Sequence, residues 1–274
     1  GDSIQLYDTA TVLGTAYTLL AADITNSYAD VPTGTLTNGS TYTINAKVID
    51  VAGNASTASS NFITTVDTSV PGAPAITSVT DNVGSIAGPL TSGGPTDDTD
   101  LTVRVDLTST NAVAGDTIQL YNSTNALGST YTLLAADITN GFADVATGTL
   151  TNGTTYTINA KVIDVAGNAS TASANFTTTV DTTTPGAPAI TSVTDDAGSI
   201  TGALTSGGRT DDTDLTVRVS LASTNAVAGD TIQLYDTATA LGTAYTLLAA
   251  DITNGYADVP TGTLTDGTTY TINA

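Results

Sequence analysis

A repeat of 114 residues constrains this chain more than any other feature. Residues 1–46 return at 115–160 and again at 229–274, and the first and third copies differ at only 5 of these 46 positions. A unit of this length has the size of a compact domain and is much longer than the roughly 20–50 residues of a solenoid repeat. The sequence therefore predicts a string of separate domains, each with its own core.

A proline-rich segment marks the boundary between repeats. The sequence PGAP at residues 71–74 recurs at 185–188, and two prolines with a glycine interrupt strand pairing and stiffen a short connector. We therefore expect one complete repeat at 68–181, the C-terminal part of a repeat at 1–67 and the N-terminal part of another at 182–274. This phase favours a window from a longer array; the alternative is that neighbouring chains complete the two partial repeats in a filament.

The hydropathy pattern of the complete repeat is that of short strands. Apolar and polar residues alternate at 101–107, 118–121, 156–162 and 176–180, and shorter strands are expected at 75–80, 85–90 and 142–145. The abundant threonine suits a pleated surface, and only residues 131–140 suit a helical turn. The pattern predicts an all-β fold of tandem immunoglobulin-like β-sandwiches arranged head to tail.

The composition excludes several classes of function. The 274 residues carry 26 acidic side chains, all of them aspartate, against 5 basic ones, and the net charge of −21 repels nucleic acid and anionic membrane surfaces. No apolar run approaches the roughly 18 residues of a spanning helix, so we expect no direct membrane insertion. The chain has no His and no Cys, and therefore no Ser-His or Cys-His catalytic pair. Aspartate pairs recur in every repeat, whereas an active site needs one copy, so we expect no enzyme.

Three motifs carry a family resemblance. The sequences PGAPAITSVTD at 185–195, TDDTDL at 210–215 and VIDVAGN at 162–168 resemble the bacterial immunoglobulin-like repeats of giant surface adhesins, including Bap-like and RTX-type biofilm adhesins. The resemblance covers essentially the whole chain. It implies an extracellular, structural extender on the bacterial cell surface, stiffened by Ca²⁺, that projects a distal binding domain for adhesion or biofilm formation. The GGxGxD nonapeptide of RTX calcium rolls is absent, so the resemblance extends to the stalk alone.

The clustering of aspartates points to a cation. Asp97, Asp98 and Asp100 lie within four residues of one another, and the cluster recurs at 211–214. Two carboxylates about 4 Å apart repel by roughly 4 kcal/mol at an effective dielectric constant near 20, so such clusters favour a bound cation. A ligand set made of oxygen alone favours Ca²⁺ over Mg²⁺, which demands a tighter octahedron. The alternative is that these aspartates serve as turn and cap residues, or as the acidic surface of a soluble protein.

An immunoglobulin-like topology would collect these aspartates at two poles of each repeat. The loop at 81–100 would lie beside the linker at Asp181, and the loops at 111–116 and 164–168 would lie beside the linker at Asp67. We expect Ca²⁺ to join one pole to Asp230 of the next repeat, and the other pole to the preceding repeat. The candidate metal ligands are Asp67, Asp81, Asp97, Asp98, Asp100, Asp116, Asp164, Asp181, Asp195, Asp211, Asp212, Asp214 and Asp230.

The expected partners are neighbouring repeats of the same polypeptide. Two alternatives remain from the sequence. The first is a subunit of an extracellular filament or surface layer, held by contacts between chains. The second is a carbohydrate-binding module, which predicts measurable glycan affinity for a single repeat.

Overall fold

A computed structural model describes all 274 residues of the chain. It confirms the predicted all-β class, with twenty strands and three helices of six residues each. The chain divides into two compact units, Gly1–Thr182 and Thr183–Ala274. None of the three helices has the length and hydropathy that a membrane-spanning segment requires.

The first unit begins with a single antiparallel sheet. Its elements are β1 (Ser3–Asp8), β2 (Thr11–Thr18), α1 (Ala21–Asn26), β3 (Thr41–Ile49) and β4 (Phe62–Thr65). The four strands lie in the order β2-β1-β3-β4. We call this the N-terminal sheet. No second sheet covers its apolar face, and Val48 on β3 is 43 % exposed.

The rest of the first unit is a complete two-sheet sandwich, which we call the central repeat. Its elements are β5 (Ala75–Asp81), β6 (Gly88–Pro89), β7 (Pro95–Thr96), β8 (Thr102–Asp106), β9 (Thr117–Asn122), β10 (Asn125–Thr132), α2 (Ala135–Asn140), β11 (Phe142–Ala146), β12 (Thr155–Ile163) and β13 (Phe176–Val180). One sheet has the order β10-β9-β12-β13-β7, and the other has the order β11-β8-β5-β6. All neighbouring strands are antiparallel except β13 and β7, which pair in parallel.

The core of the central repeat lies between these two sheets. It is built from the inward residues of the alternating strands, among them Val103 and Val105 on β8, Leu120 on β9 and Ile158 on β12, all fully buried. The outward residues of the same strands are polar, as the period-two pattern predicts. The sandwich confirms the predicted fold class.

The second unit has a front sheet and a shorter back sheet. Its elements are β14 (Ala189–Asp195), β15 (Gly202–Ala203), β16 (Thr216–Ser220), β17 (Thr231–Asp236), β18 (Thr239–Thr246), α3 (Ala249–Asn254), β19 (Tyr256–Pro260) and β20 (Ile272–Asn273). The front sheet has the order β15-β14-β16-β19, and the back sheet has the order β18-β17-β20. Their apolar faces form a second core that includes Val217, Val219 and Leu234.

Parts of the central repeat differ from the predicted strands. The strand expected at 85–90 is reduced to β6, because the preceding residues wrap around an aspartate described below. The strand β10 was not predicted, since a bulge between Leu127 and Tyr131 breaks its alternation. Gly128 lies in this bulge with a φ of +64°, and its Cα approaches the backbone of Thr147 so closely that a Cβ would clash.

Candidate functional site

The linker after the N-terminal sheet is held by a side chain from the repeat that precedes it. Asn38, in the turn before β3, accepts a hydrogen bond from the Thr68 backbone N–H at 2.7 Å and donates to Ser69 Oγ at 2.9 Å. A single amide therefore satisfies two consecutive linker residues. The Asp67 carboxylate closes the same turn by accepting from the Ser69 N–H at 2.9 Å.

A second asparagine holds the same linker from the repeat that follows it. Asn168 donates from Nδ2 to the carbonyl oxygen of Asp67 at 3.0 Å, across 101 residues of sequence. Further along, the Gly72 N–H donates to the Thr110 carbonyl at 2.9 Å. Asn38 and Asn168 thus form a polar clamp around residues 67–69, and we refer to this pair as the linker clamp.

Two predicted aspartates shape the loops that carry Asn168. Asp164 accepts from the Ala166 and Asn168 N–H groups at 2.9 and 2.8 Å, and from Asn168 Nδ2 at 2.9 Å. The side-chain hydrogen bond from Asn168 is the main reason that the pKa of Asp164 lies below its usual value. Asp116, almost fully buried, accepts from the N–H groups of Val113 and Val165 at 2.8 and 3.2 Å. Asp116 therefore joins the loops 111–116 and 164–168.

The opposite pole contains a buried pair of aspartates. Asp81, 1 % exposed at the end of β5, accepts from Thr96 Oγ1 at 2.5 Å and from the Val83 N–H at 3.0 Å. Asp98, also buried, accepts from the Asn82 N–H at 3.2 Å and from the Asp100 N–H at 2.8 Å. Buried carboxylates are costly unless hydrogen-bonded, and here backbone N–H groups and one hydroxyl supply the donors.

Asp97 lies in a cradle of backbone N–H groups at the same pole. Its two carboxylate oxygens accept from Ser85 at 2.7 Å and from Ile86 at 3.4 Å. The Ser85 bond is the main cause that lowers the pKa of Asp97. Gly84 has a φ of +68°, and a Cβ there would overlap the Asp97 carboxylate. The loop therefore needs glycine in order to close around the charge.

The remaining predicted ligands of this pole lie near its edge. Asp100 accepts from the Gly148 N–H at 3.1 Å. The Asp181 N–H donates to the Thr96 carbonyl oxygen at 2.9 Å, which places the second linker beside the loop at 81–100.

The aspartates of the second unit accept the same hydrogen bonds as their counterparts in the central repeat. Asp195 accepts from Thr210 Oγ1 at 2.5 Å, and Asp211 accepts from the Ser199 N–H at 2.6 Å. Asp212 accepts from the N–H groups of Asp196 and Asp214 at 3.2 and 2.8 Å, and Asp230 accepts from the Val227 N–H at 2.9 Å. The arrangement is therefore a property of the repeat.

The donor set of these poles matches calcium in chemistry, but the side chains do not converge in larger groups. Oxygen is the only ligand atom available, and Ca²⁺ accepts six to eight oxygens, including backbone carbonyls and water. No group of three or more acidic side chains is placed to hold a metal ion. A cation at either pole would therefore need carbonyl oxygens and water to complete its shell. The hydrogen bonds also show that these aspartates do serve as turn residues.

Sequence reasoning missed the two residues that hold the linker. Asn38 belongs to an Asn-Gly turn, and Asn168 ends the motif VIDVAGN, which by itself predicts no role for its asparagine. The signal that could have found Asn168 is its position in the loop at 164–168, which the sequence analysis expects beside Asp67, whereas no sequence signal points to Asn38. Thr96 was missed because nothing in the sequence distinguishes it from the many surface threonines.

The comparisons with known proteins are limited to solved structures. No family model matches the chain, and no curated protein matches its sequence. The chain is similar to a Ca²⁺-stabilised adhesin that helps an Antarctic bacterium reach out and bind ice, with 19 % identity and a TM-score of 0.34 over 95 % of this chain. It spans 57 % of the length of that adhesin.

Two further structures are similar over most of the chain. The FN1–FN3 domains of chicken CNTN1 share 14 % identity at a TM-score of 0.31, covering 99 % of this chain and 78 % of that one. A 1.5-MDa bacterial ice-binding adhesin shares 17 % identity at a TM-score of 0.26, covering 94 % and 74 %. All three TM-scores lie below 0.5.

Proposed function

We propose that this chain is a non-catalytic extender segment of a bacterial cell-surface adhesin. In this role its repeats act as beads whose linkers are fixed, so that a distal binding domain is held away from the cell. The observation that supports the role most directly is the linker at Asp67, which is bonded by Asn38 from the repeat before it and by Asn168 from the repeat after it. A connector held from both sides suits a rod better than a flexible tether.

Calcium is proposed to stiffen the poles further. The support is the charge. At one pole Thr96 Oγ1 donates to Asp81 and accepts from the Asp98 N–H, and at the other Asp116 and Asp164 lie in or beside the loop whose Asn168 contacts Asp67. When bound, Ca²⁺ would offset the repulsion between these carboxylates. The chain's own contribution is to hold each carboxylate in place through backbone N–H bonds, so that little side-chain entropy remains to be lost on binding.

A calcium titration tests this proposal. Isothermal titration calorimetry should detect binding, and small-angle scattering of the 274-residue chain should show a longer maximum dimension and a narrower distance distribution with Ca²⁺ than with a chelator. Mg²⁺ at the same concentration should have a much smaller effect. Absence of binding at millimolar Ca²⁺, or identical scattering with and without chelator, would refute the role of calcium.

A charge-matched variant identifies the ligands. Asp97→Asn removes one carboxylate from the pole, and Asp144→Asn removes one from the open face of the central repeat, where Asp144 pairs with Arg104 at 2.8 Å. We expect Asp97→Asn to weaken Ca²⁺ binding at least tenfold and Asp144→Asn to leave it unchanged. Equal weakening by both variants would indicate that calcium responds only to net charge.

A further inference from the structure

Asn-Gly pairs occur at four places in this chain, in turns or at helix ends. They are Asn38-Gly39, Asn140-Gly141, Asn152-Gly153 and Asn254-Gly255. Such a pair is prone to spontaneous deamidation, because glycine has no Cβ to shield its backbone nitrogen from the side-chain amide of the asparagine. The hydrogen bonds of the fold divide the four pairs into two classes.

Deamidation needs a free backbone nitrogen and a free side-chain amide. The glycine nitrogen gives up its proton and attacks Cγ of the asparagine, and the amide nitrogen leaves as ammonia, taking up a proton, so that a cyclic succinimide forms. Water then opens the ring at either carbonyl carbon and yields aspartate or isoaspartate. The reaction consumes one water, releases one ammonia and adds one negative charge to the chain.

The linker holds both reacting groups of the first pair. The Asn38 side chain binds the linker through its amide oxygen and its amide nitrogen. The Gly39 N–H donates to the Val66 carbonyl oxygen at 2.7 Å. The pair is therefore released only when the segment 66–69 detaches from the turn.

The central repeat, whose sequence is complete, holds its own pair in the same way. The Gly153 N–H donates to the Val180 carbonyl oxygen at 2.7 Å, and the Asn152 amide oxygen accepts from the Thr182 N–H at 2.9 Å. The restraint is thus a property of the repeat.

Asn140 and Asn254 form the contrasting class. Each is the last residue of a short helix, α2 or α3, and the N–H of the glycine that follows donates to an aspartate carbonyl oxygen of the same helix at 2.8 Å. Both asparagine side chains are exposed and make no hydrogen bond. Because helix ends fray, loss of one backbone bond frees both reacting groups.

We propose that Asn38 and Asn152 are deamidation sites gated by the linkers, which react only while the linker is detached from the turn. Each reaction then leaves a permanent record of a linker that has opened. The gating rests on hydrogen bonds within the chain and does not depend on the extender role or on calcium.

The two products differ in what they do to the linker. Aspartate fits the turn, since Asp266-Gly267 occupies the matching position of the third copy, and Gly267 has a φ of +74° where Gly39 has +76°. Aspartate at position 38 keeps an oxygen for the Thr68 N–H but adds negative charge to a linker that already carries Asp67. Isoaspartate lengthens the backbone of the turn by one carbon, so the side chain no longer reaches its linker partners and the clamp is lost.

Peptide mapping by mass spectrometry tests the gating in the 274-residue chain at mildly alkaline pH. In urea all four pairs should deamidate at similar rates, because the reacting dipeptides are identical. In the folded chain Asn140 and Asn254 should react at least about tenfold faster than Asn38 and Asn152, because the linker bonds of the second class must also break. Equal rates at all four sites in the folded chain would overturn the proposal.

A single substitution tests the role of the linker directly. Ser69→Ala removes the acceptor of the Asn38 amide and leaves the bond from the Ser69 N–H to Asp67 in place. Deamidation of Asn38 should accelerate by about fivefold, the factor that one neutral hydrogen bond represents. Asn152 in the same molecule is the control and should keep its parent rate. An unchanged rate at Asn38, or an equal rise at Asn152, would contradict the gating.

Hydrogen exchange gives an independent measure of the same opening. The Gly39 N–H must leave Val66 both to exchange with solvent and to react with Asn38. The factor by which folding slows deamidation at Asn38 should therefore be at least as large as the exchange protection of the Gly39 N–H. A smaller factor means that the reaction proceeds with the linker in place, and refutes the proposal.

Discussion

If the linker clamp fixes the joint between the N-terminal sheet and the central repeat, removal of one of its asparagines should loosen that joint. Asn168→Ala removes the hydrogen bond to the Asp67 carbonyl and the local bond to Asp164. Asn54, the counterpart of Asn168 in the N-terminal sheet, makes the same local bond to Asp50 at 2.8 Å, with no linker to hold. Asn54→Ala therefore removes only the local interaction, and the difference between the two variants isolates the contact with the linker.

The magnitude follows from a single neutral hydrogen bond. Such a bond contributes about 1 kcal/mol net, so its loss should raise the population of the opened joint by about fivefold. Spin labels at Thr15→Cys and Ser129→Cys, exposed and equivalent positions of β2 and β10, report on the joint, because the chain has no other cysteine. The distance distribution between the labels should broaden in Asn168→Ala and remain that of the parent in Asn54→Ala.

An NMR titration of Asp164 and Asp50 checks that each variant has lost its local side-chain bond, Asn168 to Asp164 or Asn54 to Asp50. The side-chain amides of Asn168 and Asn54 are the main causes that lower the pKa values of Asp164 and Asp50. Each pKa should therefore rise toward the usual value in the matching variant. If both pKa values rise and the two distance distributions stay equal, the linker bond does not fix the joint, and the reasoning fails.

Three further predictions concern stability. Leu120→Ala should lower the free energy of unfolding of the central repeat by about 3 kcal/mol, measured by thermal unfolding. Leu6→Ala, at the half-buried counterpart, should lower it by less than half as much. Equal losses would contradict the difference in burial. Gly84→Ala should lower the stability by more than the about 1–2 kcal/mol that a left-handed backbone alone costs an alanine, because its Cβ would also overlap Asp97. Gly39→Ala is the control, since Gly39 has the same backbone conformation and no atom near its Cβ position. Equal melting temperatures of the two variants would refute the Asp97 cradle. The pKa of Asp97 is lowered in the folded state chiefly by the Ser85 N–H. The ionised carboxylate therefore stabilises the fold above the unfolded pKa of about 3.9, and this stabilisation is lost as the pH falls through the folded pKa. In Asp97→Asn the free energy of unfolding, measured between pH 6 and 2, should depend less on pH than in the parent.

Much of the fold could be predicted because the repeat and the alternation report directly on burial. Strands such as β8 and β12 have one apolar and one polar face, and each lies where the pattern places it. The strand β10 could not be predicted in this way, because its bulge shifts the alternation in mid-strand. The short β7 could not be predicted either, because two residues are too few to show an alternation and their partner strand β13 lies more than 80 residues away in the sequence.

The candidate site could be predicted at the level of loops but not of bonds. The hydrogen bonds place the loops at 81–100 and 164–168 beside the linkers at Asp181 and Asp67, while no three of the predicted aspartates converge on one point. The sequence did not indicate what each carboxylate accepts. The direction in which a backbone N–H points depends on the path of the loop, which single residues do not encode. The Ser85 and Ile86 N–H groups reach Asp97 because Gly84 takes a positive φ.

The hydrogen bonds also change the physical argument for calcium. Crowded aspartates need no cation to be tolerated here, because each of Asp81, Asp97 and Asp98 already has two donors. A cation at this pole would therefore act on a loop that is already formed, and would add stiffness without being required for folding. The linker at residues 67–69 likewise needs no cation to be held, since uncharged amide groups from both repeats bind it. The calcium proposed for the pole that carries Asp116 and Asp164 and the linker clamp should then contribute independently to the joint at Asp67. Removal of metal from Asn168→Ala should therefore loosen that joint by the sum of the two separate free energies.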